Sequence, residues 1–240
     1  MEKNQTEKNL AEKNMTELVF ILDRSGSMGG LESDTIGGYN TMLAKQQEED
    51  GECRITTVLF DNQYDVLHDR LELKAVGPIT EKEYFVRGST ALLDAVGRTV
   101  EKIKNVQKAS KPEYRADKVL FVITTDGMEN SSREYSYERV KKMVKEQTEE
   151  HGWEFVFLGA NIDAFDAAES IGISRSRAQN YCADGEGVAL NYAVVGEAIA
   201  ELRAAPACAR LADDWGDRIE EDYKKREGGP GRAGKAKKKQ

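Results

Sequence analysis

The sequence predicts an α/β chain with a doubly wound, mostly parallel, Rossmann-like sheet, one antiparallel edge hairpin strand, and helices on both faces. Three observations predict it. Two apolar runs, Leu18 to Leu22 and Val119 to Ile123, show no alternation of polar and apolar side chains, as expected of strands covered on both faces. Stretches of helical periodicity alternate with strand-like runs, and parallel neighbours joined through helices require right-handed crossovers. Both runs also end near an acid, Asp23 and Asp126, which puts polar turns at the strand ends where open α/β sheets bind ligands.

Residues 1–15 repeat Glu-Lys-Asn every five positions, a period that fits neither helix nor strand. With so few apolar groups to offset the entropy of ordering, they read as a disordered polar arm. The domain proper is assigned to 16–205. Its first strand, Glu17 to Leu22, leads through Gly29 and Gly30 into Leu31 to Glu49, where Leu31, Ile36, Tyr39, Met42 and Leu43 recur at mostly helical spacing. Arg54 to Phe60 and Tyr64 to Leu71 are rich in β-branched and apolar residues, and Asp61-Asn62-Gln63 is too short a break for a helix. They predict an antiparallel hairpin at a sheet edge.

Ala91 to Val106 carries a helical stripe of Leu92, Ala95, Val96, Val100 and Ile103. Lys118 to Thr125 is the second covered strand, Tyr137 to Glu149 a charged amphipathic helix, and Trp153 to Leu158 a third buried strand. A short helix follows from Ala164 to Ser170 with Asp163 as its N-cap. Val188 to Arg203 packs a last helix onto the sheet. From Asp213 the core signal fades, and 206–240 reads as a charged extension that ends, beyond Gly228-Gly229-Pro230-Gly231, in Arg232, Lys235, Lys237, Lys238 and Lys239. Asp213-Asp214-Trp215-Gly216-Asp217 lacks the alternating ligands and central glycine of a calcium loop, so it reads as a surface segment.

A chain of 240 residues with 39% hydrophobic content can bury one good core, and a second full domain would be cramped. The net charge of -8 argues against a general nucleic-acid surface and leaves only the basic tail for such contacts. No apolar run reaches the roughly 18 to 20 residues that cross a bilayer, and the N-terminus is too polar for a secretory signal, so the expected location is cytoplasmic. Cys53, Cys182 and Cys208 lack metal-ligand spacing and read as reduced thiols. His68 and His151 are the only histidines, read as surface or hairpin residues, and a closed zinc site is not expected.

The predicted topology brings Asp23, Ser25, Ser27, Thr90 and Asp126 to loops at one edge of the sheet, although they lie far apart in sequence. They offer only hard oxygen, which favours Mg²⁺ or Mn²⁺, and Mg²⁺ usually keeps waters, so an octahedral site with a position left for an outside ligand is expected. Asp and Ser also cap helices and satisfy loop amides, but capping needs no such coordinated set. Glu129 reads either as a rim residue or as a solvated loop acid. Asn161 and Asp163 could stand behind the ligands, although the N-cap role suits Asp163 better.

Asp23-Arg24-Ser25-Gly26-Ser27, Gly88-Ser89-Thr90-Ala91-Leu92 and Thr125-Asp126-Gly127, in that order and spacing, resemble a von Willebrand factor A (vWA) domain with an intact metal-ion-dependent adhesion site. The resemblance runs from about Thr16 to Gly172. It implies that Ser25 and Ser27 ligate the metal directly, Thr90 directly or through water, and Asp23 and Asp126 directly or through bridging waters. The last position would be filled by an Asp or Glu of a protein partner. Thr124-Thr125-Asp126-Gly127 and Leu158-Gly159-Ala160-Asn161 are most similar to small free-standing bacterial or phage members, which implies a non-enzymatic intracellular adaptor. Two alternatives stay open. One is a Mg²⁺-dependent phosphoryl-transfer enzyme of the haloacid dehalogenase type with Asp23 as nucleophile, although Ser25 stands where that family's general acid Asp sits. The other is a structural subunit that keeps the site without using it.

Overall fold

The computed structural model describes residues 14–226. The first thirteen positions of the polar arm and the Lys-rich tail lie outside the described residues. Six strands form one sheet in the order β3-β2-β1-β4-β5-β6: β1 (Thr16–Asp23), β2 (Cys53–Phe60), β3 (Tyr64–Glu72), β4 (Lys118–Thr125), β5 (Glu154–Gly159) and β6 (Ala178–Asn180). All neighbours are parallel except β2 and β3, the expected edge hairpin.

The unbroken apolar runs have a simple cause. Leu18, Phe20 and Leu22 point into one core, while Val19 and Ile21 point into the other. The first core lies under α1 (Glu32–Glu48) and α5 (Gly185–Ala204), the second under α2 (Leu92–Ala109), α3 (Tyr137–His151) and α4 (Ala164–Ser170). Every position of β1 is therefore buried, and each large side chain adds roughly 1.5 to 3 kcal/mol of hydrophobic stabilisation. Pairing of Leu22 with Thr124 brings the ends of β1 and β4 level, so that Asp23 ends its strand beside Thr125 and Asp126.

Glu17 interrupts the apolar logic, being fully buried near the start of β1. Arg70, which adopts a left-handed backbone (φ 50°) in β3, reaches back across the sheet to it with nitrogen–oxygen distances of 2.8 to 3.1 Å. At the same amino edge Lys118 donates to the carbonyls of Leu202 (2.6 Å) and Arg203 (3.0 Å), closing the end of α5. His68 of the hairpin is half-buried against the Thr57 hydroxyl (3.0 Å), and His151 ends α3. None of the three cysteines forms a disulfide among the described residues; Cys53 and Cys182 are buried and Cys208 is exposed.

Three expectations need correction. Met15, assigned to the arm, is buried, and its N–H donates to Asp117 (2.9 Å). The strand β6 was not anticipated. Nor is 206 onward a mere extension: α6 (Asp217–Arg226) packs beside α5 and β6, with Leu211, Trp215 and Ile219 in the first core. The acidic segment 213–217 is thus not wholly surface, since the Trp215 indole N–H donates to the Ser176 carbonyl (2.9 Å) and the residue is 9% exposed. The packing covers a short edge strand that would otherwise offer unpaired backbone. Arg226 closes α6 by pairing with Asp184, the N-cap of α5 (2.7 Å), and thus ends the described chain at the sheet's carboxyl edge. Among the described residues no helix is long and apolar enough to cross a membrane.

Candidate metal centre

Asp23 stands at the carboxyl end of β1 and is fully buried. One of its carboxylate oxygens accepts the Ser25 N–H (2.6 Å) and the other the Thr125 hydroxyl (2.6 Å). The first bond curls the chain back on itself and leads into a short 3₁₀ turn, Gly26–Met28, which presents the Ser25 and Ser27 hydroxyls 3.0 Å apart. The second loop brings Thr90, whose hydroxyl lies 3.0 Å from that of Ser25. The third loop brings Asp126 and Gly127. A Cβ at Gly127 would stand 3.0 Å from the Ser27 oxygen and 3.1 Å from that of Thr90, so glycine lets this backbone close over the hydroxyls.

All five predicted residues therefore meet at one point. Among the described residues no three His, Cys, Asp or Glu side chains gather as a metal-binding group; this cluster instead combines two carboxylates with three hydroxyls. Burial raises the Asp23 pKa to about 6, against the lowering effect of the Thr125 and Ser25 hydrogen bonds, with nearby Asp126 adding to the rise. Burial also raises Asp126, opposed by a hydrogen bond from Ser27. Oδ1 of Asp126 is buried without a hydrogen-bond partner. A desolvated carboxylate oxygen left unpaired is costly. A buried carboxylate with one oxygen unpaired beside converging hydroxyls fits a hard divalent cation better than it fits a closed hydrogen-bond network.

The guanidinium next in sequence does not supply that cation. Arg24, although between Asp23 and Ser25 in sequence, is 3% exposed and turns away to Asp61 (3.1 Å) and Asp65. Arg87 joins the same pair, 2.6 Å from Asp61. Their backbones also meet, with the Arg87 N–H donating to the Arg24 carbonyl (2.8 Å), while the Tyr84 hydroxyl donates to the Asp23 carbonyl (2.6 Å). The second loop is thereby tied to the first.

The second and third loops are stitched together more densely. Glu129 accepts the N–H groups of Leu93 (2.9 Å), Ser131 (2.9 Å) and Ser132 (2.7 Å), and so is neither a rim residue nor a solvated acid. The Asn130 side chain accepts the Thr90 N–H (3.0 Å), and Asp94 accepts three consecutive N–H groups, from Arg133 to Tyr135, each at 2.9 Å. Sequence reasoning missed these supports. An Asp in the first turn of a helix, as Asp94 is, was the one available hint. Asp163 is the expected N-cap, accepting the Asp166 N–H (3.0 Å), and Asn161 takes a left-handed turn at φ 57° just before it.

No protein-family model and no curated protein matches the sequence. Solved structures do match the architecture. A von Willebrand factor type A protein from Catenulispora acidiphila aligns with a TM-score of 0.53 at 13% identity, over 78% of this chain and 42% of that one. The ArnB paralog VWA2 from Sulfolobus acidocaldarius aligns at 0.50 and 16% identity, over 78% and 46%. This chain has the von Willebrand factor A fold. Proximal thread matrix protein 1 from the mussel byssus, in a structure with a zinc-occupied adhesion-site motif, also aligns, at 0.51 and 14% identity over 78% and 46%. The chain spans less than half the length of each of these three structures, and at such identities the likeness extends to the vWA fold alone.

Proposed function

We propose that this vWA-fold chain is a non-enzymatic, divalent-metal-dependent protein-binding module. Ser25, Ser27 and Thr90 would hold the ion with Asp23 and Asp126, directly or through water. The observation that carries this reading is the convergence of three hydroxyls and two buried carboxylates from three loops, with Oδ1 of Asp126 unpaired. The zinc-occupied motif of the mussel protein supports a divalent cation at such loops. The all-oxygen donor set favours Mg²⁺, with Mn²⁺ as its closest substitute. A bound ion would supply a Lewis-acidic position for an Asp or Glu of the partner.

The chain's own residues do the holding. Thr125 and the Ser25 N–H fix both oxygens of Asp23, and with its complete burial this supports a supporting role over a nucleophilic one. The test is calorimetric titration with Mg²⁺ and Mn²⁺ of the protein and of Asp126→Ala. Binding by the parent and at least a tenfold weaker affinity in D126A is the expected result; equal binding, or none to either, overturns the metal claim. Partner capture from lysate with and without EDTA then tests the second half, and capture indifferent to chelation counts against it. The Ser25→Ala, Ser27→Ala double variant separates this from a purely structural subunit, whose assembly it would leave intact.

A further inference from the structure

Six large apolar side chains are exposed among the described residues: Val66, Leu71, Phe85, Tyr114, Met128 and Tyr137. Single exposed apolar residues are ordinary. Here, however, Phe85, Met128 and Tyr137 fall on the loops that carry the candidate metal centre or at the end of one of them. Met128 is 74% exposed and directly follows Gly127, whose backbone lies against the Ser27 and Thr90 hydroxyls. Two residues later, the Asn130 N–H donates to the Thr90 carbonyl (3.0 Å), so Met128 is held on a loop anchored on both sides of it.

Phe85 flanks the first loop. It lies between Tyr84 and Arg87, the two residues bonded to the backbones of Asp23 and Arg24. The Arg24 and Arg87 guanidinium carbons stand 5.3 and 5.4 Å from its ring centroid. Both guanidiniums are themselves held by Asp61. The ring is thus propped in place while remaining 42% exposed, which is the form of a preorganised contact.

The charges nearby limit what could sit there. Arg24 and Arg87 are already paired with Asp61 and Asp65, and Glu32 turns its carboxylate back to the Gly30 N–H (2.6 Å) beside the first loop. The chain as a whole carries -8. Asp23 and Asp126 would roughly neutralise a bound dication, so one further carboxylate would complete its shell by coordination, while a run of acids would meet the acidic chain with Arg24 and Arg87 already engaged and Lys82 and Arg133 the exposed cations of these loops.

Building on the metal-dependent reading, we infer that the partner segment presents a single carboxylate flanked by large apolar side chains, with Met128 and Phe85 covering those flanks. Methionine suits such a contact because its flexible, polarisable side chain adapts to differently shaped apolar neighbours. The experiment uses the full chain with Mn²⁺ and short peptides containing one central Asp, with Leu, Ser or Asp on both sides of it. Leu-flanked peptides are expected to bind at least about fivefold more tightly than Ser-flanked ones, the effect of burying roughly half a large side chain. Met128→Ser should erase most of that advantage and leave Mn²⁺ affinity unchanged. Equal binding of Leu and Ser peptides, tightest binding of the Asp-rich one, an undiminished Leu advantage in M128S, or no peptide binding to the Mn²⁺-loaded protein each overturns the inference. Failure of Mn²⁺ itself to bind overturns the underlying metal reading instead.

Discussion

Asp23→Asn should stabilise the metal-free protein and abolish its response to metal, two effects of opposite sign from one change. Burial raises the Asp23 pKa from 3.8 to about 6. The folded state therefore holds a proton that the unfolded chain has lost, and folding stability is largest below about pH 4, falls through the window up to about pH 6, and is flat above it. A shift of this size corresponds to about 3 kcal/mol of cost for keeping the ionised carboxylate folded at neutral pH. The amide of D23N carries no charge and can keep both contacts. Its oxygen accepts from the Ser25 N–H as before. Its NH₂ group faces the Thr125 hydroxyl, which can turn its proton to the Gly127 carbonyl, 3.1 Å away. Urea denaturation in EDTA at pH 7 should show D23N more stable than the parent by about 1 to 3 kcal/mol, the gap closing towards pH 4. With saturating Mg²⁺ the parent should gain stability and the variant should not. The reasoning is refuted if D23N is the less stable protein in EDTA at pH 7, or if both show the same pH slope.

Other variants probe separate parts of the structure. Arg70→Met strands the fully buried Glu17 and should cost about 3 to 5 kcal/mol by urea denaturation. Burial raises the Glu17 pKa, with Arg70 opposing the rise, so removing Arg70 should raise it further and the loss should be smaller at pH 5 than at pH 8; a loss below about 1 kcal/mol at pH 8 would contradict this. Glu129→Ala removes the acceptor for three loop N–H groups and should cost about 1 to 3 kcal/mol while weakening Mn²⁺ binding; unchanged calorimetry would mean those loops hold without it. Trp215→Ala should cost about 3 to 5 kcal/mol, whereas a change near zero would return 206–226 to the status of an appendage.

How much could be read in advance depended on how each element is stabilised. The strands β1 and β4 were legible because each consecutive residue feeds one of two cores, leaving an unbroken apolar run. The hairpin was legible because Asp61-Asn62-Gln63 leaves no room for a helix. Ala178-Gln179-Asn180 gave no such sign: three residues with one apolar member become a strand only because β5 lies alongside. The helix Asp217–Arg226 was hidden by its charged composition, since its seating depends on Ile219 and on Trp215 outside it. At the site, Asp23, Ser25, Ser27, Thr90 and Asp126 were recognisable because a metal-like donor set repeats at strand ends. The supporting roles of Tyr84, Asp94 and Glu129 were not, because a side chain gripping the backbone of a distant loop leaves no periodic trace in sequence, and Glu129 could be marked only as a rim or solvated acid. Arg24 was even less so, since its neighbours in sequence would suggest it faces the site when it faces Asp61.

The pairing of Arg226 with Asp184 has a practical consequence for how this protein is handled. Asp184 follows β6 at the carboxyl edge of the sheet, the edge that carries Asp23, Thr90 and Asp126, whereas Asn14 enters at the amino edge beside the Arg203 carbonyl (2.7 Å). A bead, dye or fused protein attached directly at Arg226 is thus tethered on the metal-bearing face, and one attached directly at Asn14 is tethered behind it. Capture experiments that anchor the chain through its N-terminal side leave that face open to a partner, while the opposite orientation risks shielding the surface under test.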